Sequence, residues 1–476
     1  MKKLFICIII ATALALPLGA AACTSKPDRT AYSITAAYDD ESGTLTAECT
    51  VDYYNGGEDT DVIKFNLYGN AYRRGALYKP VSDEFATRAY YDGASYGSME
   101  IKDVGGAESW QVCGEDSNIL EVTLPERLPG GGRAQVSISY TLELANINHR
   151  TGITRHTVNL GNFYPIACVR SGEGFIEVPY YSDGDPFISD CADYMVEITV
   201  PDGYTVAAGG TCERQGNTAR CTLENARDFA IVLSSEFKKL ECDANGTAVT
   251  YYYYDDDNAE TALDAAAQSL LYFEEKFGEY EYPSYTVVQT GFAAGGMEYP
   301  AFAMISDGLE PADAIYATVH ETAHQWWYAM AGSDQINNAW QDEGLAEYSA
   351  LCFFEEHPDY GFTRTGLINS ATEAYRAYYS VYNQIFGDAD TTMSRHLKDF
   401  VSDYEYVNIA YNKGLIMFDS LRTSIGDDRF FKGLKNYFER ANGKIATPEQ
   451  LIESFTATGV DIAGFFDSFL EGKIII

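Results

Sequence analysis

The chain has 476 residues, and 33 lysines and arginines against 70 aspartates and glutamates leave it a formal charge of −37. Such a charge repels nucleic acid and suits a protein dissolved in an extracellular setting. Setting aside an N-terminal leader, about 450 residues remain, enough for two or three domains.

Met1-Lys2-Lys3 followed by an apolar run to Leu18 has the basic, hydrophobic and small-residue order of a secretory signal, expected over residues 1–22. The run is short for a membrane span. Ala20-Ala21-Ala22-Cys23 resembles a bacterial lipoprotein cleavage site. Either Cys23 becomes a lipidated N-terminus, tethered to the outer face of a membrane through residues 23–30, or the chain is secreted after cleavage near Ala22. Lipidation is the expectation, and a membrane is reached only through that anchor.

Residues 31–242 read as a β-rich domain. Alternating runs such as Ala134 to Tyr140 and Met195 to Val200 are separated by turn clusters such as Pro129-Gly130-Gly131-Gly132. Thr211-Cys212 and Arg220-Cys221 flank a hairpin whose two-residue turn is Gly216-Asn217. Counting outward from that turn places Cys212 opposite Cys221 at a non-hydrogen-bonded pair, where side chains are closest, so a disulfide is expected there. Cys49, Cys113, Cys168, Cys191, Cys242 and Cys352 have no assignable partners.

From residue 243 to 476 the pattern turns mainly helical. Helices are expected over Ala262 to Phe277, around His320, around Glu343, and near 408–424 and 428–441. A strand over Tyr285 to Gln289 leads into Gly295-Gly296-Met297-Glu298. His320-Glu321-Thr322-Ala323-His324 carries the chemistry. Residues four apart share a helix face, so both imidazoles reach one metal ion, and Glu321 beside them can take a proton from water there. Pro311 marks the expected helix start and Gly332 its end. Eighteen residues separate His324 from Glu343, enough for one helix to end and the next to return alongside. Glu343 is the expected third ligand, leaving one position open for water. Glu347, one turn on, is expected either to bond the outer nitrogen of a ligand histidine or to face solvent. His149, His156, His357 and His396 lack ligand-spaced partners and read as structural or surface residues.

These motifs resemble the M1 aminopeptidases, zinc enzymes of the gluzincin group. Gly295-Gly296-Met297-Glu298-Tyr299 matches their exopeptidase motif, usually Gly-x-Met-Glu-Asn. Tyr411-Asn412-Lys413-Gly414 matches the segment bearing their transition-state tyrosine, and Arg227-Asp228-Phe229-Ala230 a further family segment. The resemblance implies an α+β multidomain chain: a saddle-like β-rich domain followed by a thermolysin-like catalytic domain, in a short form without the large C-terminal helical domain. It also implies one zinc ion per chain and peptide substrates with a free N-terminus. Glu321 would be the general base, Tyr411 the donor to the developing oxyanion, and Glu298 the amine-binding carboxylate. Gly295, Gly296 and Met297 would line the peptide, the glycines permitting close approach. Tyr299 in place of Asn, and Asp342 in place of the Asn common before the ligand glutamate, depart from the pattern and bear on specificity. An endopeptidase with the same zinc site, and a non-catalytic surface binding protein, are the alternatives.

Overall fold

The computed structural model describes residues 28–172 and 174–476. The expected signal segment and Cys23 lie outside the described residues. The N-terminal part is built on a seven-stranded sheet of β1 (Thr30–Asp39), β2 (Thr44–Tyr54), β3 (Ser98–Gly105), β4 (Arg133–Glu143), β5 (Ala192–Thr199), β6 (Thr211–Gln215) and β7 (Thr218–Ala226). Their spatial order is β6-β7-β5-β1-β2-β4-β3, antiparallel except for the β1–β5 pair. Alternation decides which face is core. Leu45, Ala47, Cys49, Val51 and Tyr53 of β2 point inward, and the residues between them are more exposed. Each such aliphatic side chain contributes about 1.5–3 kcal/mol by leaving water. Two four-stranded sheets and a two-stranded one complete this part.

Cys212 and Cys221 stand opposite each other across β6 and β7 and are joined by a disulfide, with their Cα atoms 4.1 Å apart. The other six described cysteines are free.

A five-stranded sheet introduces the helical part. It contains β8 (Lys238–Ala244), β9 (Thr247–Tyr253), β10 (Ser284–Thr290), β11 (Gly296–Met297) and β12 (Phe302–Ser306), in the order β8-β9-β10-β12-β11. Residues 242 and 243 therefore fall inside β8, whose pairing partner β9 comes after it. The edge strand β11 runs antiparallel to β12 and delivers Met297 and the following Glu298 to the site. The helices that matter most are α1 (Ala259–Phe277), α2 (Pro311–Ala323), α3 (Trp340–Glu356), α4 (Arg364–Phe386), α5 (Asp403–Val407), α6 (Lys413–Ile425) and α7 (Asp427–Ala441). Helix α4 was not anticipated. Its buried stripe is only Ala371, Tyr375 and Tyr378 along an otherwise more exposed helix, and Val381, Ile385 and Phe386 are exposed near its C-terminal end. Among the described residues, no helix is long and apolar enough to cross a membrane.

Candidate active site

Helix α2 starts at Pro311, whose missing N–H costs nothing in a first turn, and carries His320 and Glu321 in its last turn. The α-helix stops at Ala323, short of the expected end at Gly332. His324 keeps helical angles, so its ring falls one turn beyond His320, and the chain then opens into a wide turn over Gln325–Met330. Side-chain demands explain the early stop. Gln325 bonds Ala301 N at 2.8 Å and Tyr299 O at 3.1 Å, while Trp326, Trp327 and Tyr328 are all buried. A regular helix cannot send three consecutive large rings into the core, and Trp327 leaves helical geometry (φ −101°, ψ 54°).

The return path is a short turn capped by Asp334, which accepts from Ile336 N and Asn337 N, and then α3. The donor atoms converge: His320 Nε2 and His324 Nε2 lie 3.1 Å apart. Glu343 Oε2 lies 3.4 Å from the first and 3.3 Å from the second, and has no hydrogen-bond donor of its own. The outer nitrogens are fixed: His320 Nδ1 donates to Glu347 Oε2 at 2.9 Å and His324 Nδ1 to Trp327 O at 3.1 Å. Both Nε2 lone pairs therefore face the centre. Tyr316 in turn donates to Glu347 Oε1 at 2.7 Å. Burial alone would keep the His320 ring neutral, but Glu343 and Glu347 push it up to about 10, while the two rings hold the Glu343 carboxyl far down. This point attracts positive charge, as a proton or as a metal ion. Two imidazoles and one orphaned carboxylate oxygen fit a single zinc ion.

Glu321 is 6 % exposed and its Oε2 has no partner. Burial, opposed by His320 and reinforced by Glu298, pushes its carboxyl up to about 8. Gly296 makes room for it: a Cβ there would overlap the Glu321 carboxylate, whereas a Cβ on Gly295 would meet nothing within 4 Å. Of the two glycines, Gly296 thus makes room for the Glu321 carboxylate and Gly295 borders open space. Met297 turns away, and its sulfur lies 2.9 Å from Arg150 Nε. Glu298 is 4 % exposed, accepts from Gln335 Nε2 at 3.4 Å, and is raised to about 7 by burial and by Asp185. Its carboxylate, that of Glu321 and the His324 ring each place a donor atom within 4.8 Å of the others.

Tyr411 stacks on His320, with ring centroids 5.7 Å apart and planes 13° from parallel. Burial and the adjacent Glu343 keep its hydroxyl protonated, hence a donor. Tyr406 Oη lies 3.5 Å from Glu343 Oε1. Close approach of α3 and α6 brings these groups together, since a Cβ on Gly344 would sit 3.1 Å from Gly414 Cα. Both departures from the family pattern are accommodated. Tyr299 places its hydroxyl where Gly161 has no side chain and donates to Asn162 Oδ1 at 3.3 Å. Asp342 accepts from Glu343 N at 2.9 Å, and burial beside Glu343 raises its carboxyl well above the usual carboxylate range.

Sequence reasoning missed Arg150, Asp185 and Gln335. Arg150 pairs with Asp185, and its guanidinium lies 5.0 Å above the Phe187 ring. Burial, against the pull of Arg150, raises Asp185 to about 6. No spacing rule links residues 35 apart on irregular segments. Arg227 donates to Tyr328 O at 2.7 Å and Ser189 O at 2.9 Å, and Asp228 accepts from Tyr328 Oη at 2.6 Å, so this segment braces the wide turn after α2. His149, His156, His357 and His396 bond Tyr72, Glu236, Phe353 O and Lys398 N.

Residues 261–469 match the model of the peptidase family M1 domain. Aminopeptidase N of Lactococcus lactis subsp. lactis is 27% identical over 234 residues, covering 44% of this chain and 26% of that protein. Endoplasmic reticulum aminopeptidase 2 of Bos taurus is 24% identical over 366 residues, covering 71% of this chain and 37% of the relative. The chain thus spans well under half the length of these curated relatives. The M1 zinc metallopeptidase from Deinococcus radiodurans superposes with a TM-score of 0.65 over 94% of each chain at 15% identity. A mutant of that enzyme bound to a Tyr-Ser-Ala substrate superposes with a TM-score of 0.63 at 16% identity, covering 94% of this chain and 95% of that one. The M1 fold is shared across both parts of the molecule.

Proposed function

We propose that this protein is a zinc-dependent aminopeptidase that removes N-terminal residues from peptides. The observation that carries the reading is the placement of Glu298. Its carboxylate is within 4.8 Å of donor atoms on Glu321 and His324, so a bound ammonium group lies about one residue from the bond that would be cut. An internal peptide segment would have to pass through the space Glu298 closes. His320, His324 and Glu343 would hold the zinc, which when bound polarises the scissile carbonyl and makes water acidic. Glu321 takes the proton of the attacking water at Oε2 and returns it to the departing amine nitrogen. Tyr411 donates to the carbonyl oxygen as negative charge develops there, a contact worth about 3 kcal/mol. Glu298 orients the substrate through its ammonium group.

The test uses aminoacyl anilides with free and acetylated amines. Free-amine substrates are expected to be cleaved, and Glu321→Gln to lower kcat by about a thousandfold with zinc retained. Preference for acetylated substrates would favour an endopeptidase, and equal rates in wild type and variant would favour a non-catalytic binding protein. The leader and Cys23 support a place on the outer face of a membrane. Labelled palmitate should be incorporated, and Cys23→Ala should abolish labelling.

A further inference from the structure

Lys413, two residues after Tyr411, is a charged group to which the proposed reaction gives no task. It is fully buried, and an ammonium group held away from water is costly. Its acceptors are backbone carbonyls rather than carboxylates: Nζ donates to Thr391 O at 2.6 Å and to Phe469 O at 3.2 Å. Burial, partly offset by Asp390, brings its pKa down to about 8, so it stays charged at neutral pH. Phe469 belongs to the last turn of α8 (Ala463–Leu470), where the carbonyls and the helix dipole favour a cation. The segment around Thr391 is bound to the same corner, since Thr391 Oγ1 donates to Gly472 O at 2.6 Å and Met393 N to Leu470 O at 2.9 Å. Ser394 in turn accepts from Trp340 Nε1 at 3.0 Å, at the start of the helix that carries Glu343.

These bonds attach where they can steer the site. Tyr411 lies in the wide turn Asn408–Asn412, and Lys413 and Gly414 open α6 directly after it. Gly414 presses α6 against Gly344, next to Glu343, so closely that a Cβ on Gly414 would come within 2.7 Å of Gly344 Cα. One such contact fixes the spacing of the two helices and leaves α6 free to roll about it. A second tether at the adjacent residue, about 100° round the helix, removes that freedom. A methionine of similar length would fill the same space without burying a charge, so what the ammonium adds is direction. We propose that Lys413 is a positioning residue for the reaction: its two carbonyl bonds fix the start of α6 and thereby hold the Tyr411 hydroxyl where the oxyanion develops. This role for Lys413 rests on that of Tyr411 in the proposed function.

Steady-state kinetics of the full chain on free-amine aminoacyl anilides test the role. Lys413→Met should lower kcat about tenfold to a hundredfold, as small displacements of a reacting group do, with KM and zinc content unchanged. Lys413→Gln, which keeps a neutral donor for one carbonyl, should fall between that variant and wild type, and it carries the test if Lys413→Met does not fold. Because Lys413 acts through Tyr411, either change combined with Tyr411→Phe should be no slower than Tyr411→Phe alone. Wild-type kcat in the Lys413 variants, a change confined to KM, a loss that tracks zinc content, or losses that multiply in the double variants would overturn the role. A Tyr411→Phe enzyme with wild-type kcat would instead sink the reading of Tyr411 as the oxyanion donor.

Discussion

Two corners of the same site are built in opposite ways. The metal corner takes its donors from the short stretch between His320 and Glu343, on two successive helices whose period sets the geometry. The corner around Glu298, where the proposed substrate amine would bind, takes Arg150 and Asp185 from the β-rich part, Glu298 from the end of an edge strand, and Gln335 from a capped turn. The first depends on local helix geometry and the second on how two parts of the chain dock. Damage to one should therefore be separable from damage to the other.

The sharpest separation is at the paired glycines, which join the two corners. Gly296→Ala forces the Glu321 carboxylate aside, and displacing a reacting group by an ångström costs about a hundredfold. That loss is expected in kcat with zinc still bound, while Gly295→Ala, facing open space, should stay near wild type. Equal effects at the two positions would mean that the glycines serve the backbone rather than the carboxylate.

A smaller effect isolates the metal corner. Glu347→Ala removes the acceptor of His320 Nδ1–H and frees the ring to turn. Zinc affinity should fall about tenfold or more, read by chelator competition, with discrimination between free and acetylated amines retained. Unchanged affinity would assign Glu347 to Tyr316 alone.

The asymmetry also explains what could be read from sequence. Helix period and a loop of known reach are local, so the two histidines, Glu321 and Glu343 were legible by counting. The Cys212–Cys221 pairing was legible for the same reason, being set by one two-residue turn. The early end of α2 was not, because it is imposed by the burial of Trp326, Trp327 and Tyr328 against distant segments. Nor was the Arg150–Asp185 pair, which exists only once the β-rich part has docked. Gly161 belongs to that class too. Its role is to admit the Tyr299 hydroxyl from a residue far along the chain, and nothing in its own neighbourhood announces it.

The smallest effect concerns the docking itself. Asp183, beside Asp185 in the β-rich part, adjoins Asp403 at the start of α5, and Ser82 Oγ donates to the Asp403 carboxylate. Between them Gly184, at φ +77°, lies so close that a Cβ would come within 2.8 Å of the Tyr406 ring, which faces Glu343. Burial and the adjoining Asp403 raise Asp183 to about 7, above its unfolded value of about 3.9. The folded chain thus holds a proton that the unfolded chain releases. Its stabilising contribution is complete below about pH 4 and is lost as pH rises toward about 7. Asp183→Asn removes the like-charge repulsion with Asp403 at every pH. Between about pH 5 and about pH 8, the Tm of wild type should therefore fall by a few degrees relative to the variant. Tm curves that stay parallel across that range would show that Asp183 and Asp403 share no proton, and that this edge is held by packing and the Ser82–Asp403 hydrogen bond.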